Sequence, residues 1–332
     1  MVTLDDIILA QTRLRGACPH TPLLPNPRQE KDRLLFFKAE NFQPIGSFKL
    51  RGAYNKIASL SDEERKRGVI GYSSGNHAQG VAYAARALGV KAILVMPSTA
   101  PKVKLESTRA MGAEVVVVGP GSSERLAKAE ELARQHGYVI VPPYNDEKII
   151  AGQGTIGLEI FQDMPEVETV LAPIGGGGMV SGIATALKMS KHGVRVIGVE
   201  PEMANDAQQS FRAGRLVEIP AEQTTRTIAD GLRTQSIGAI PYEHIRQYVD
   251  DVVTVSEAEI VEAVRRMVMD AKLVAEPSGA VTFAAFLFHR EQLPRTRYNV
   301  AVISGGNIEP RVLARIMTEE SVLAATADRV TV

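Results

Sequence analysis

The chain has 332 residues, 45% hydrophobic and only 5% aromatic, a composition typical of an aliphatic α/β protein large enough for two domains. Lys plus Arg and Asp plus Glu each total 38, so the formal net charge is zero and nothing indicates a nucleic-acid or anionic-membrane partner. Cys18 is the only cysteine, which excludes an intrachain disulfide and favours a reducing cytoplasm.

The amino terminus carries acidic residues, Asp5 and Asp6, where a signal peptide would carry basic ones. No apolar run approaches the roughly 20 residues that a membrane-spanning helix needs. The sequence therefore predicts a soluble cytoplasmic protein with no membrane partner.

A helix-like segment, 49–60, follows the turn residues Pro44 to Gly46 and begins with Lys49. A lysine amine beside an apolar group such as Phe48 and a second cation such as Arg51 loses its preference for the charged form. Such an amine can form a Schiff base with a carbonyl compound. The alternative is an ordinary solvated surface lysine.

Apolar strand-like runs then alternate with helical ones, which predicts parallel βαβ units. The first set is 68–72, 78–88, 92–96, 102–111 and 114–118, and a second set is 170–174, a helix to about 191, and 194–199. We therefore expect a small domain of residues 68–146, inserted into a large domain of residues 1–67 plus 147–332. The segment 142–146 is rich in turn residues and suits the crossing between them.

The loop 73–77 lies between the strand ending at Tyr72 and the next helix. Its hydroxyl and backbone N–H groups suit a carboxylate, because the positive end of a helix dipole favours an anion. Simple N-capping by Ser73 and Ser74 is the alternative.

Four consecutive glycines, Gly175, Gly176, Gly177 and Gly178, follow the strand 170–174 and precede a helix. Glycines there let backbone N–H groups close around an anion, which predicts a phosphate cradle. A tight turn would need only one glycine.

The last buried strand, 300–303, ends in Ser304, Gly305, Gly306 and Asn307. Ligands of open α/β sheets bind at the carboxyl ends of strands. The neutral hydroxyl of Ser304 suits an aromatic ring nitrogen that stays unprotonated, although an ordinary turn remains the alternative.

A Schiff-base lysine, a phosphate cradle and a ring-nitrogen partner together predict pyridoxal 5′-phosphate as cofactor. The runs 47–53, 73–77, 175–178 and 304–307 resemble the fold-type II pyridoxal-phosphate enzymes, specifically the serine/threonine dehydratase and serine racemase group. The resemblance extends from about residue 21 to about residue 310. It implies two open parallel-sheet α/β domains of the tryptophan synthase β-like kind, with the cofactor in the cleft between domains, and a homodimer or homo-oligomer.

The resemblance also implies roles for individual residues. Lys49 and Ser74 are the implied catalytic residues, and Asn76 is the implied contact of the ring hydroxyl. The implied cofactor contacts are Phe48, Lys49, Asn76, Gly175, Gly176, Gly177, Gly178, Met179, Glu276 and Ser304. The implied substrate contacts are Ser73, Ser74, Gly75, Asn76, His77, Gln153 and Arg125.

These roles predict β-elimination, in which Lys49 removes the α-proton of a small-molecule amino acid and the β-hydroxyl leaves, giving a 2-oxo acid and ammonia. L-Threonine, L-serine and 3-hydroxyaspartate are the expected substrates, the last because the Arg125 guanidinium suits a second carboxylate. A serine or aspartate racemase with side dehydratase activity is the alternative, because racemases of this group carry a serine at the position of Ser74.

An oxygen-rich site is expected after the strand 194–199, where the carboxylates of Glu200 and Asp206 and the Ala204 carbonyl suit Mg²⁺, Mn²⁺ or Ca²⁺. Racemase-like members place a divalent cation at the matching positions. Asn205 stands where an aspartate is often found, which lowers the local charge. Solvated surface acids are the alternative.

An enzyme of another class, a nicotinamide-binding dehydrogenase, would also have a strand, a glycine loop, a helix, and a strand ending in an acid such as Glu200. The glycine spacing disfavours this class, whose loop needs a third small residue after a pair of glycines. The pair Gly175 and Gly177 is followed at that position by Val180, and the pair Gly176 and Gly178 by Ser181. A non-enzymatic amino-acid sensor is disfavoured because Lys49 and the loop 73–77 are intact.

Overall fold

The computed structural model describes residues 1–319 except 74, 99, 101, 120, 121 and 192, and only the backbone of 102–104, 122 and 123. These residues form a six-stranded sheet and a four-stranded sheet. The strands are β1 (Leu23–Pro25), β2 (Leu34–Ala39), β3 (Val69–Tyr72), β4 (Ala92–Pro97), β5 (Glu114–Val118), β6 (Val139–Ile140), β7 (Thr169–Pro173), β8 (Arg195–Pro201), β9 (Asp251–Val255) and β10 (Tyr298–Ile303).

Helices connect nearly all of these strands. They are α1 (Leu4–Leu14), α2 (Lys49–Ala58), α3 (Asp62–Arg67), α4 (Asn76–Ala87), α5 (Lys102–Ala110), α6 (Ser122–His136), α7 (Glu147–Asp163), α8 (Gly178–Ser190), α9 (Asp206–Ala213), α10 (Ala221–Thr224), α11 (Ala239–Tyr248), α12 (Glu257–Arg266), α13 (Pro277–Phe288) and α14 (Pro310–Thr318). The bounds predicted for the two sets of βαβ segments differ from these by at most two residues.

The six-stranded sheet has the order β1-β2-β10-β7-β8-β9. Its strands run parallel except β1, which pairs antiparallel with β2 at the edge. On one face α12 and α13 bury Phe283 and Val264 against Phe37 and Ile197. The other face is covered by α7, α8 and α11. Burial on both faces explains why these strands read as continuous apolar runs.

The four-stranded sheet has the order β5-β4-β3-β6, and all its pairs are parallel. Helices α2 and α4 pack on one face and α6 packs on the other. The α/β fold class with parallel sheets is confirmed, with the antiparallel edge β1 as an addition. The division at residues 68 and 146 stays a prediction, although β3 to β6 all lie within that range.

A buried ionic cluster holds α2 in place. The Arg51 guanidinium donates to both carboxylate oxygens of Glu40, at 2.8 Å each, and to both oxygens of Glu159, at 2.6 and 2.8 Å. Lys38 donates to Glu159 at 2.7 Å. All four side chains are buried, and their two positive and two negative charges balance. Because a buried charge is tolerated only when paired, this cluster fixes α2 against β2 and α7.

No helix within the described parts of the chain combines the length and the apolar character needed to cross a membrane.

Candidate active site

A cavity of about 530 Å³ lies between the two sheets. Tyr72, Pro173 and Ser304, at the carboxyl ends of β3, β7 and β10, line it, as expected for ligand sites of open α/β sheets. Every predicted cofactor or substrate residue that the structure describes also lines it. These are Phe48, Lys49, Ser73, Gly75, Asn76, His77, Arg125, Gln153, Gly175, Gly176, Gly177, Gly178, Met179, Glu276 and Ser304. Ser74 lies outside the described residues.

Lys49 is the first residue of α2, and its amine faces the cavity. Burial lowers the pKa of the Lys49 amine to about 8, against the opposing effect of the Glu276 carboxylate. Nζ donates to the Pro143 carbonyl at 2.9 Å and lies 5.0 Å from the centre of the Phe48 ring. The expectation that Arg51 helps to lower this pKa is wrong, because its guanidinium is held in the ionic cluster with Glu40 and Glu159.

His77 is buried beside this lysine in the first turn of α4. Its Nε2 lies 2.9 Å from the Val141 carbonyl, which can only accept, so Nε2 carries the proton. Burial, and then the positive charge of Lys49, lower the pKa of His77 to about 3. The imidazole is therefore neutral at physiological pH.

The loop 73–77 joins β3 directly to α4, which begins at Asn76, two residues earlier than predicted. Gly75 is the N-cap residue, and among the residues that the structure describes here, which omit Ser74, no side chain caps this helix end. The Ser73 hydroxyl instead accepts a hydrogen bond from the Gly75 N–H at 3.3 Å. The positive end of α4 is thus directed at the cavity.

Asn76 connects the two sides of the cavity. Its Nδ2 donates to Glu276 Oε1 at 2.7 Å, and its Oδ1 accepts from Asn307 Nδ2 at 2.8 Å. Glu276 precedes α13, and its side chain does not cap that helix. Asn307 received no role from the sequence, although it belongs to the motif 304–307 that singled out this segment.

The glycine loop enters α8 at Gly178, after Gly177 in the left-handed region at φ +89°. Among the described residues, no backbone or side-chain group accepts a hydrogen bond from the N–H of Gly175, Gly176 or Gly177. Donors of this kind, at the positive end of α8, are suited to an anion, so the phosphate cradle stays a prediction. A Cβ at Gly176 would overlap the ring of Tyr144, which packs on the loop. Sequence reasoning gave Tyr144 no role, because this contact joins residues distant in sequence.

Gln153 lies within α7, and its Oε1 accepts from the Gly52 N–H at 3.2 Å. Arg125 lies on α6, half-buried, and burial lowers the pKa of its guanidinium against the opposing effect of Glu124. Ser304 is buried, and its hydroxyl donates to the Ser278 carbonyl at 3.4 Å.

The predicted cation ligands lie together behind the glycine loop. Glu200, Ala204 and Asp206 are fully buried, so they are not the solvated surface acids of the alternative interpretation. Glu200 accepts from the N–H groups of Ala207 and Gln208 at 3.1 and 2.8 Å. Neither Asp206 oxygen has a well-formed hydrogen bond within the described residues, although the amides of Asp206 and Ile237 face it.

The electrostatics of these two carboxylates favour a cation. Burial raises the pKa of Asp206 to about 7. Burial and then the charge of Asp206 raise the pKa of Glu200 well above its ordinary value. Asn205 contributes no charge, and its Oδ1 accepts from Gln209 Nε2 at 2.9 Å. The described part of the chain contains no set of three His, Cys, Asp or Glu side chains arranged to hold a metal ion.

Comparison with known proteins identifies the family of this chain. The family described as pyridoxal-phosphate dependent enzymes matches residues 14–305. An L-threonine ammonia-lyase of Thermotoga maritima is 44% identical, with 96% of this chain and 79% of that protein covered. An L-threo-3-hydroxyaspartate ammonia-lyase of Saccharomyces cerevisiae is 40% identical, with 95% and 96% covered.

Among solved structures, a serine racemase of maize superposes with a TM-score of 0.90 at 35% identity, over 95% of this chain and 97% of that one. The match of the family, the identity to these relatives and the shared fold lead to one conclusion: the chain belongs to the pyridoxal-phosphate dependent enzymes of fold type II.

Proposed function

We propose that the protein catalyses the β-elimination of a 3-hydroxy amino acid, L-threonine, L-serine or 3-hydroxyaspartate, to a 2-oxo acid and ammonia. The observation that carries the proposal is the Lys49 amine, with its pKa lowered to about 8, in one cavity with an anion cradle and a helix N-terminus. Relatives named as ammonia-lyases of threonine and 3-hydroxyaspartate support this reaction class. A nicotinamide-binding dehydrogenase would leave Lys49 and the loop 73–77 without a role.

The residues of the cavity fit pyridoxal phosphate. The Lys49 amine would hold the aldehyde, and the N–H groups of Gly175 to Gly178 would hold the phosphate. Ser304 would face the ring nitrogen, Asn76 the ring hydroxyl, and Phe48, Met179 and Glu276 the ring. When bound, the cofactor supplies an electron sink for the charge that develops on the α-carbon of the substrate.

Side chains and backbone groups of this chain would bind the substrate and transfer its protons. In the proposal, Ser73, Gly75 and His77 and the start of α4 hold the substrate carboxylate, and Gln153 adds a further contact. Lys49 removes the α-proton, for which a base with a pKa near the working pH is suited. Lys49 would return this proton to the β-hydroxyl, which leaves as water, and the phosphate of a bound cofactor would be the alternative acid. The unsaturated amine then reacts with water to give the 2-oxo acid and ammonia.

Replacement of Lys49 by alanine tests the proposal. We expect ammonia release from L-serine, L-threonine and 3-hydroxyaspartate to fall by at least about 10²–10⁴-fold, because the variant lacks the general base. The holoprotein is expected to be yellow and to be bleached by borohydride with a stable mass increase on the peptide containing Lys49. Lys66→Ala, a change of an exposed lysine on α3, is the control. Undiminished release by Lys49→Ala would refute the assignment.

Racemisation is the second candidate activity, favoured by the serine at position 74 and by the likeness to a serine racemase. We expect Ser74→Ala to abolish D-serine formation from L-serine while ammonia release from L-serine continues, because only the proton donor on the opposite face is lost. Chiral chromatography of the products, with ammonia measured in the same samples, checks this. D-Serine formation that persists in the variant would exclude Ser74 as the donor.

Arg125 is proposed to bind the second carboxylate of 3-hydroxyaspartate. A hydrogen bond to a charged group contributes about 1.5–3 kcal/mol, so Arg125→Ala is expected to lower kcat/KM for 3-hydroxyaspartate by about 10–100-fold. The value for L-serine should change little. Arg134→Ala, an exposed arginine on the same helix, is the control. Equal losses for both substrates would show that Arg125 does not select the carboxylate.

A divalent cation, Mg²⁺, Mn²⁺ or Ca²⁺, is proposed to bind the carboxylates of Glu200 and Asp206 and the Ala204 carbonyl. A cation at 100 times its dissociation constant adds about 2.7 kcal/mol of stability, so a rise in Tm of several degrees is expected, reversed by a chelator. Asp206→Asn should lose this response, and Glu202→Gln, an exposed neighbour, should keep it. A Tm that is unaffected by all three cations in the parent protein would contradict the site.

The assembly and the cellular location are also proposals. The resemblance to the dehydratase and racemase group supports a homodimer or homo-oligomer. The single cysteine supports a cytoplasmic location.

A further inference from the structure

Three side chains from three segments form a chain of hydrogen bonds at the edge of the cavity. Asn307 Nδ2 donates to the Ile45 carbonyl and to Asn76 Oδ1, both at 2.8 Å. Asn76 Nδ2 in turn donates to Glu276 Oε1 at 2.7 Å. Asn307 does not line the cavity, and Asn76 is the cavity-lining side chain to which it donates.

The backbone carbonyl of Ile45 fixes the direction of the whole chain. Because this carbonyl can only accept, the Asn307 atom that faces it is the amino nitrogen, and the two hydrogens of this nitrogen point to Ile45 and Asn76. The oxygen of Asn76 must therefore face Asn307. The amino group of Asn76 then faces Glu276, and Oε1 of Glu276 accepts from it.

The opposite orientation of the Asn76 amide would be unfavourable at both ends. It would place an amide oxygen against the Glu276 carboxylate and an amino group against the Asn307 amino group. In the observed orientation, only Glu276 among the described residues accepts from the amino group of Asn76. The second hydrogen of that group remains for a ligand oxygen in the cavity.

Gly46 makes room for this arrangement. It adopts φ +72°, and a Cβ there would overlap the Asn307 side chain. The Gly306 N–H also donates to the Gly46 carbonyl at 2.9 Å. The turn that precedes Lys49 is thus attached directly to the segment that carries Asn307.

We propose that Asn307 is a positioning residue for the reaction, which holds the Asn76 amide with its N–H towards the ring oxygen of pyridoxal phosphate. The inference rests on the proposed function, in which Asn76 contacts that oxygen. A donor there stabilises the negatively charged oxygen and keeps the neighbouring proton on the Lys49 nitrogen. The position of this proton sets the ratio of the two absorption bands of the bound cofactor.

The test compares the absorption spectra and cofactor affinities of four holoproteins: the parent, Asn307→Ala, Asn307→Asp and Asn76→Ala. In both Asn307 variants we expect the longer-wavelength band to lose intensity to the shorter-wavelength band and pyridoxal phosphate to dissociate about tenfold more readily. Asn307→Asp keeps the size of the side chain, so it reports on the donor even where Asn307→Ala folds poorly.

Asn41→Ala is the matched control, because Asn41 donates to the Val274 carbonyl at 3.0 Å and is not part of the chain to Asn76. Its band ratio should equal that of the parent. The band ratio of the double variant Asn76→Ala with Asn307→Ala should differ little from that of Asn76→Ala alone, since the proposal has Asn307 act on the ring oxygen through Asn76.

The outcomes distinguish a failure of the proposed ring contact of Asn76 from a failure of the role inferred for Asn307. An unchanged spectrum and affinity in Asn76→Ala would remove the proposed ring contact, and with it the basis of the inference. A changed Asn76→Ala with unchanged Asn307 variants would overturn the role of Asn307 and leave the proposed function intact. Asn307 variants with a lower Tm and the parental band ratio would assign Asn307 a structural role only, which also overturns the proposal.

Discussion

The direction of Lys49 depends on the pairing of Arg51 with Glu40 and Glu159 inside the protein. Successive residues of an α-helix are rotated by about 100°, so side chains two residues apart point to nearly opposite sides. The cluster binds the Arg51 side of α2 to the core beside the six-stranded sheet and thereby directs Lys49 into the cavity. A different rotation of α2 about its axis would separate Arg51 from Glu40 and Glu159. It is unfavourable because it would leave uncompensated charges buried.

Side chains that line the cavity also form hydrogen bonds between its two sides. Asn76, in the helix that follows β3 of the four-stranded sheet, binds Glu276, which precedes α13, and Asn307, which follows β10 of the six-stranded sheet. Lys49 binds the Pro143 carbonyl in the segment that leads into α7. These contacts fix the relative position of the proposed phosphate cradle, the Lys49 amine and the loop proposed to bind the substrate carboxylate. The binding groups are thus positioned by bonds within the protein before a ligand enters.

Local sequence patterns predicted the strands, the lysine, the two anion loops and the buried acids, because each is marked by an apolar run, a turn or a helix start. They did not predict features that depend on packing between distant segments. Gly152 and Gly154 flank Gln153 inside α7, although glycine disfavours a helix interior. A Cβ at Gly152 would overlap the backbone of α2, and one at Gly154 would overlap Ile7, so close helix packing explains these glycines. The roles of Arg51, Tyr144 and Asn307 likewise follow from partners distant in sequence.

The proposed cation site is connected to the glycine loop through Tyr144 and through the segment 237–238. The Tyr144 ring packs on Gly176, and burial, together with the charge of Asp206, raises the pKa of its hydroxyl. The amide of Ile237 faces Asp206, and the next N–H, of Gly238, donates to the Gly176 carbonyl at 3.1 Å. A cation held by Asp206 would therefore stabilise the segment 237–238 and, through it, the loop proposed to hold the phosphate. Because this connection does not include Lys49, the proposed cation would act on cofactor affinity and stability, and the proton transfer proposed for Lys49 would not involve it.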